Sequence, residues 1–429
     1  MNKPHPATFA SEDGVLARIA GVPVVDLARR FGTPTFVYDA TTIAARIASL
    51  SRFDVVRYAQ KACSNIAVLD LCRRHGALVD ATSAGEVHRA MVAGYAPGGD
   101  PPPIVYTADI FDRDSLDLVV DAGVHVNCGS PDMIDQYASR VGRGSITLRI
   151  NPGFGHGHSR KTNTGGEHSK HGIWHEELPE VLGRAAGLGM RVSGLHLHIG
   201  SGSDLEHLSQ VCEAAEKLAL RIGPQLDSIS AGGGLPVPYK LGDPVMDVDA
   251  YFALWDAVRR KLEKSFGHAV RLEIEPGRYL VADSGFLLTE VRAIKRVGTN
   301  RFCLVDAGFH NLVRPAMYGS WHPMALAPQD GAGVRAQDDY VVGGPLCESG
   351  DIFTQGADGV VGHARLPQPS VGDIIVIGVA GAYGFSMSSN YNSKPLAAEV
   401  LVSEGRPHLV RARQGLDDLI RGERIPSDA

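Results

Sequence analysis

The 429-residue chain reads as an α/β protein, a TIM-type (β/α)8 barrel followed by an all-β domain that also takes in a strand from the amino-terminal segment. Two observations predict this. Between residues 46 and 285, eight strand-like patterns alternate with helix-like ones, as parallel β/α units do, and a closed barrel uses roughly 250 residues. Past residue 286 the helical periodicity fades, and short β-type runs follow one another between Gly, Pro and Asn. The predicted organisation is 1–45 as an amino-terminal segment joining the β domain, 46–285 as the barrel, and 286–429 as a β-sandwich or barrel-like domain.

Residues 14–32 read as one helix or two short ones stopped at Gly32, and 34–38 as the strand that joins the β domain. The barrel strands fall at 55–62, 77–83, 104–109, 125–130, 145–152, 192–201, 228–235 and 270–280. Helical patterns fill the gaps at 66–75, 85–93, 113–122, 131–141, 176–186, 204–222 and 249–266. The first of these has apolar Ile66, Leu69 and Leu71 and a basic end at Arg73, Arg74 and His75. In the carboxyl-terminal part, β-type runs occupy 286–297, 301–306, 340–342, 373–380, 398–403 and 408–411. Residues 97–103, PGGDPPP, form a turn-rich loop. The glycine-rich, basic stretch 151–174 has the length of a functional loop and reads as a mobile cover ordered by ligand. Its histidines His156, His158, His168, His171 and His175 match no ligand spacing, and no metal is expected.

Forty-two Lys and Arg against 48 Asp and Glu give a net charge of −6, the wrong sign for a general nucleic-acid binder. With 44% hydrophobic and 21% charged residues, the chain is ordinary for a globular protein and unlike a disordered one. No apolar run reaches the roughly 18 residues that span a bilayer, and the amino terminus has no secretion-signal core. A soluble, cytoplasmic protein is expected. Cys63, Cys72, Cys128, Cys212, Cys303 and Cys347 are scattered without a C-x-x-C pair, which argues against a disulfide framework or a cysteine-rich zinc site.

Barrel chemistry gathers at the carboxyl ends of the strands. Strand one ends in Tyr58-Ala-Gln-Lys61, strand two in Asp80-Ala-Thr-Ser83 before Gly85-Glu86, and strand three at Asp109, while strand five carries Arg149 and Asn151. Strand six carries His196 and His198 and then Gly200-Ser201-Gly202. Strand seven ends in Gly232-Gly-Gly234 and strand eight in Glu275-Pro276-Gly277-Arg278. Glycine turns after strands seven and eight are where barrels bind phosphate through backbone N–H groups, although they equally serve a tight β-to-α turn. Lys61 taken alone reads as a strand-end ion-pair partner; beside a phosphate site it reads as an amine for an aldehyde. Lysine, phosphate cradle and carboxylate together describe pyridoxal 5'-phosphate, with Glu275 on the pyridinium nitrogen and His198 flat against the ring. A satisfied structural histidine remains the alternative for His198.

The motifs Tyr58-Ala-Gln-Lys61-Ala-Cys-Ser-Asn65, His196-Leu-His198-Ile-Gly-Ser-Gly202, Ala231-Gly-Gly-Gly234 and Glu275-Pro-Gly-Arg278 lie in the barrel half. Arg314-Pro-Ala-Met-Tyr318, Gly344-Pro-Leu-Cys347-Glu348-Ser-Gly-Asp351 and Gly381-Ala-Tyr383 follow them. In this order they are highly specific: over nearly its whole length the chain resembles the fold-type III, alanine-racemase-like pyridoxal phosphate decarboxylases, and within them the diaminopimelate decarboxylase group. The resemblance implies a Schiff base on Lys61, His198 stacked on the ring, and Glu275 on the ring nitrogen. It implies that Gly234 and the backbone of Glu275, Pro276, Gly277 and Arg278 hold the phosphate, helped by Ser201. It makes Cys347 the proton donor and Tyr383 a contact of both cofactor and substrate, and assigns substrate binding to Arg278, Arg314, Tyr318 and Glu348. Many members have Lys-Ala-Asn where this chain has Lys-Ala-Cys-Ser-Asn, which puts Cys63 near the site as a subgroup feature.

The implied activity is that of a carboxy-lyase converting meso-2,6-diaminopimelate to L-lysine and CO2, the final step of lysine biosynthesis. The chemistry agrees. Protonating the carbon that lost CO2 needs an acid on one face, and a thiol can give a proton and recover it. A substrate with a second amino-acid head needs a cation for its carboxylate, Arg278 or Arg314, and an anion for its ammonium, Glu348. The implied partners are the small-molecule substrate and a second copy of the chain in a head-to-tail homodimer with shared sites; no nucleic acid or membrane is expected. Competing readings are a relative acting on D-ornithine, D-lysine or carboxynorspermidine, and a cofactor-binding regulator. Intact Lys61, Glu275 and Cys347 argue against the regulator. Glu275, where racemases of this fold tend to use arginine, argues against a racemase.

Overall fold

The computed structural model describes residues 13–155, 165–198, 205–329, 335–356 and 358–426. The chain divides into two compact units, Met1–Ile43 with Pro238–Asp243 and Val281–Ala429, and Ala44–Val237 with Pro244–Leu280.

The second unit is a closed barrel of eight parallel strands. In order they are Val55–Ala59, Leu78–Ala81, Ile104–Ala108, His125–Cys128, Gly144–Asn151, Met190–His196, Ser228–Ser230 and Arg271–Ile274. Glu273 and Ile274 pair with Val55 and Val56, which joins the last strand to the first. Short polar side chains start the helices between strands. Asn65 Oδ1 accepts from Ala67 N–H at 2.9 Å, and Asp112 and Ser115 form a reciprocal capping box.

All eight barrel strands stop earlier than the sequence reading has them, the first at Ala59 and the last at Ile274. Residues 60–62 form a 3₁₀ turn, and Arg278–Val281 is a short helix. Pro276 has no N–H to offer a ladder; its carbonyl instead accepts from Ala59 N–H at 3.1 Å.

Arg57 and Glu273 form a buried ion pair across the closure, 2.6 Å from Nε to Oε2, with Arg271 Nε 2.9 Å from the other oxygen. Burial pushes the Glu273 carboxyl up, but Arg57 and Arg271 pull it below the usual range, so their stabilisation is present at neutral pH and lost as pH falls through the depressed value. Arg57→Met leaves Glu273 buried beside one guanidinium instead of two. Urea unfolding is expected to show a loss of about 3 kcal/mol, and a loss under about 1 kcal/mol would mean that Arg271 suffices.

The first unit is built on a nine-stranded sheet. Its central strand Gly285–Val297 pairs antiparallel with Thr35–Asp39, Asn300–Val305 and Ile374–Ile377. Thr35–Asp39 pairs on its other side, parallel, with Ala398–Ser403. Val37, Leu288, Val376 and Val400 form part of its apolar core with Ile19 and Leu27. Strands Met324–Ala327 and Ala364–Pro367 and helix Ala40–Ala48 are elements the sequence reading did not assign. Asp39 caps that helix through Thr41 N–H and the Thr42 hydroxyl.

Residues 14–32 are not helical throughout. Ala20 and Gly21, both at positive φ, turn a small hairpin between Arg18–Ile19 and Val22–Pro23, and only Val24–Phe31 is helix. The sequence reading also ran the barrel through Pro238–Asp243, which belongs to the first unit. There the Tyr239 ring lies edge-on to His322 at 5.3 Å, with Arg314 over its face at 5.1 Å.

Candidate active site

Lys61 sits in the turn that leaves the first barrel strand. That turn is held without the amine. Tyr58 donates its hydroxyl to Cys63 O at 2.9 Å, Gln60 Nε2 donates to Glu86 O at 3.0 Å, and Asn65 caps the next helix. The lysine is exposed, and its charge acts on Asp80, Glu86 and His198.

Glu275 follows the eighth strand and is 5% exposed. Both its oxygens are engaged. Ser230 donates its hydroxyl to Oε1 at 3.0 Å, and His196 Nε2 lies 2.6 Å from Oε2. The Ser230 oxygen in turn accepts Gly232 N–H at 3.1 Å, which leaves its hydrogen for the carboxylate. Burial pushes the Glu275 carboxyl up, yet the charge and hydrogen bond of His196, with Arg57 and Ser230, bring it below the usual range. Asp80 moves the other way. Burial and then the Glu275 charge push it up to about 8, against the pull of Lys61 and Thr107. The pair is thus biased in opposite directions, Glu275 toward its ionised form and Asp80 toward its protonated one. Burial, helped by the charges of Arg149 and Lys61, holds His198 well below the ordinary imidazole range, so it is neutral.

The ends of strands six, seven and eight crowd together. A Cβ on Gly232 would collide with Leu197 O and lie 2.8 Å from His198 Cβ, and one on Gly233 would lie 2.6 Å from Glu275 O. Gly232 and Gly234 both take positive φ, 62° and 99°. Gly277 comes within 3.1 Å of Ala59 O by the same measure. An amine, an ionised buried carboxylate, a neutral imidazole and backbone turns without side chains are the donor set that pyridoxal 5'-phosphate requires, so these residues fit that group. Arg278 opens the short helix after Gly277. Ser201 lies outside the described residues, as do His156 and His158.

The remaining predicted residues belong to the first unit. Arg314 and Tyr318 are the two ends of one short helix. Arg314 is 5% exposed; its Nη2 donates to Ser320 Oγ at 3.1 Å and its Nε to His322 Nε2 at 3.3 Å. His322 Nδ1 lies 3.1 Å from Gly378 O, a pure acceptor, so Nδ1 carries the hydrogen and Nε2 is free to accept from the arginine. Cys347 and Glu348 are exposed on the loop between Gly344 and Asp351. Tyr383 takes φ 57°, a left-handed conformation unusual for a tyrosine.

Four structurally engaged residues, Asp80, His196, Ser230 and Asp351, had no role in the sequence reading. Position at a strand end marked the first two; the contacts of Ser230 and Asp351 had no local signal. In the 151–174 stretch, His171 Nδ1 lies 2.6 Å from Asp109 Oδ2 and Gly172 N–H donates to Oδ1 at 2.9 Å, so its carboxyl-terminal part is anchored to strand three. Among the described residues no cluster of His, Cys, Asp and Glu could hold a metal ion, and no helix is long and apolar enough to cross a membrane.

The pyridoxal-binding domain model of the pyridoxal-dependent decarboxylases matches residues 42–282. The chain is 53% identical to the diaminopimelate decarboxylase of Streptomyces coelicolor over 431 residues, 100% of this chain and 98% of the relative. A crystal structure of diaminopimelate decarboxylase superposes with a TM-score of 0.90 at 50% identity, covering 93% of this chain and 95% of that one. The diaminopimelate decarboxylase of M. jannaschii, solved in co-complex with L-lysine, gives 0.85 at 26% identity over 99% of both chains.

Proposed function

We propose, from the premise that the chain belongs to the diaminopimelate decarboxylases of the pyridoxal-dependent family, that it takes CO2 from the D-configured carbon of meso-2,6-diaminopimelate and releases L-lysine. The observation that carries this reading is the Glu275 carboxylate, buried, ionised and latched by two donors among the same barrel-strand ends that bear Lys61 and His198. Bound pyridoxal 5'-phosphate supplies a protonated pyridine ring that takes up the electron pair left when the Cα–carboxylate bond breaks. Lys61 Nζ is the covalent anchor for the aldehyde. Glu275 would keep the ring nitrogen protonated, and neutral His198 would lie against the ring without adding charge. The backbone of Gly234 and of Glu275, Pro276, Gly277 and Arg278, with Ser201, holds the phosphate. Cys347 returns a proton to the carbon that lost CO2, and Tyr383 contacts cofactor and substrate.

Substrate choice rests on the distal head, with Arg278, Arg314 and Tyr318 on its carboxylate side and Glu348 for its ammonium. Support for Arg314 comes from its scaffold. Ser320, His322 and the Tyr239 face fix the guanidinium plane before any ligand arrives, which favours a planar carboxylate over a flexible partner. Arg314→Leu is expected to raise KM for meso-diaminopimelate about 100-fold, the worth of one or two charge-assisted hydrogen bonds. An unchanged KM would remove Arg314 from the clamp. Cys347 and Glu348 are exposed, open to a second copy that would complete each site in a homodimer; a biosynthetic enzyme of this kind would work in the cytoplasm.

The test is chiral product analysis with the cofactor-loaded protein and meso-diaminopimelate. CO2 and L-lysine in equal amounts are expected. D-lysine, or no product while D-lysine or D-ornithine is decarboxylated, would overturn the substrate assignment.

A further inference from the structure

We propose that His196 is a positioning residue for the cofactor site, holding the Glu275 carboxylate ionised and fixed in rotation for the ring nitrogen. The proposal rests on the assignment of Glu275 to that nitrogen. His196 is the last residue of the sixth strand and is 2% exposed, so its ring is enclosed by the barrel. Its Nε2 is 2.6 Å from Glu275 Oε2, while among the described residues its buried Nδ1 has no hydrogen-bond partner. A buried imidazole whose contact among the described residues is a single carboxylate is costly unless that contact matters.

The contact has a physical task. A polar cavity of about 360 Å³ lies at the amino-terminal end of the barrel, bordered by Ser145, Arg191, Asp227 and Arg271, and it reaches Ser230 and Glu275. A carboxylate bounded by such a cavity can turn toward solvent or take up a proton from it. Ser230 holds Oε1 and His196 holds Oε2, so rotation about the last side-chain bond would break both hydrogen bonds. Of the two latches, His196 exerts the larger pull on the Glu275 carboxyl against burial, through the hydrogen bond that its Nε2 makes to Oε2. Asp80, itself pushed up by that carboxylate, is the neighbour that would share the proton if the latch were lost.

The experiment compares H196L, H196Q, H196N and E275Q, with the H196L/E275Q double variant. The readouts are the dissociation constant of pyridoxal 5'-phosphate by equilibrium dialysis against apoprotein, kcat and KM. H196L should weaken cofactor binding about tenfold and lower kcat about 30-fold with KM little changed. H196Q, whose amide nitrogen reaches the Nε2 position, should recover most of both; H196N, which reaches only the Nδ1 position, should not. The double variant should lie within about threefold of E275Q alone, because His196 acts through Glu275. Wild-type behaviour of H196L, or losses in the double variant that multiply, would overturn the proposal. If H196L does not fold, equal losses in H196Q and H196N would overturn it. Normal cofactor binding and turnover in E275Q would instead overturn the assignment of Glu275 itself.

Discussion

Lys61→Ala is expected to abolish turnover, a loss of at least about 10⁴-fold, while the protein remains folded. The fold should survive because the turn is fixed by Tyr58, Gln60 and Asn65, and the lysine side chain is exposed. Borohydride reduction followed by mass spectrometry separates the outcomes. Wild-type protein should gain the reduced cofactor on the peptide containing Lys61, and the variant should gain nothing. Removing the amine also deletes the cation that pulls Asp80 and Glu86 down, so both carboxyls should take up protons at higher pH than in the parent. A variant that turns over at the parent rate, or wild-type label on another lysine, would remove Lys61 from the chemistry.

The strand-end positions of Lys61, His198 and Glu275 were legible because each stands one or two residues past an apolar run, where a barrel presents side chains to its carboxyl-terminal face. The same runs misled the strand boundaries. The sequence reading carries the strands on through Ala59-Gln-Lys-Ala62 and Ile274-Glu-Pro-Gly277, although pairing stops before Lys61 and Glu275 and the chain turns there. What the sequence could not show is lateral contact. Glu275 meets His196 across 79 residues and Ser230 across 45, and nothing local in either motif announces those partners. Arg314 likewise gains a scaffold from Tyr239, in a stretch the sequence reading left inside the barrel. The hairpin at Ala20 and Gly21 was missed for a different reason: apolar spacing on either side mimics one helical stripe, and the break depends on backbone conformation at two residues.

Cys347→Ala carries the second large effect, and the loop around it shows why the variant isolates chemistry from structure. The backbone N–H of Cys347 donates to Asn392 Oδ1 at 2.9 Å, and that of Leu346 donates to Asp351 Oδ2 at 2.8 Å. Asp351 is 3% exposed and also accepts Phe309 N–H at 2.7 Å. Gly308 and Gly344 leave room for its carboxylate, since a Cβ on Gly308 would come within 2.7 Å of its oxygens and one on Gly344 would overlap Oδ2. The loop is thus pinned by a buried carboxylate and an amide, with the thiol projecting from it exposed. Removing the sulfur should leave the melting temperature unchanged and the cofactor dissociation constant within about twofold of wild type, while kcat falls about 10²- to 10⁴-fold, the range of a lost general acid. Asp351→Asn should behave differently, since one amide group cannot accept from both backbone donors as a carboxylate does; its loss of activity should come with a loosened loop. Running the Cys347→Ala reaction in D2O adds a stereochemical readout. A thiol acting on one face gives L-lysine with deuterium at a single prochiral position, and residual turnover without it should scramble that label. Undiminished kcat together with an unscrambled label would assign the proton to another group.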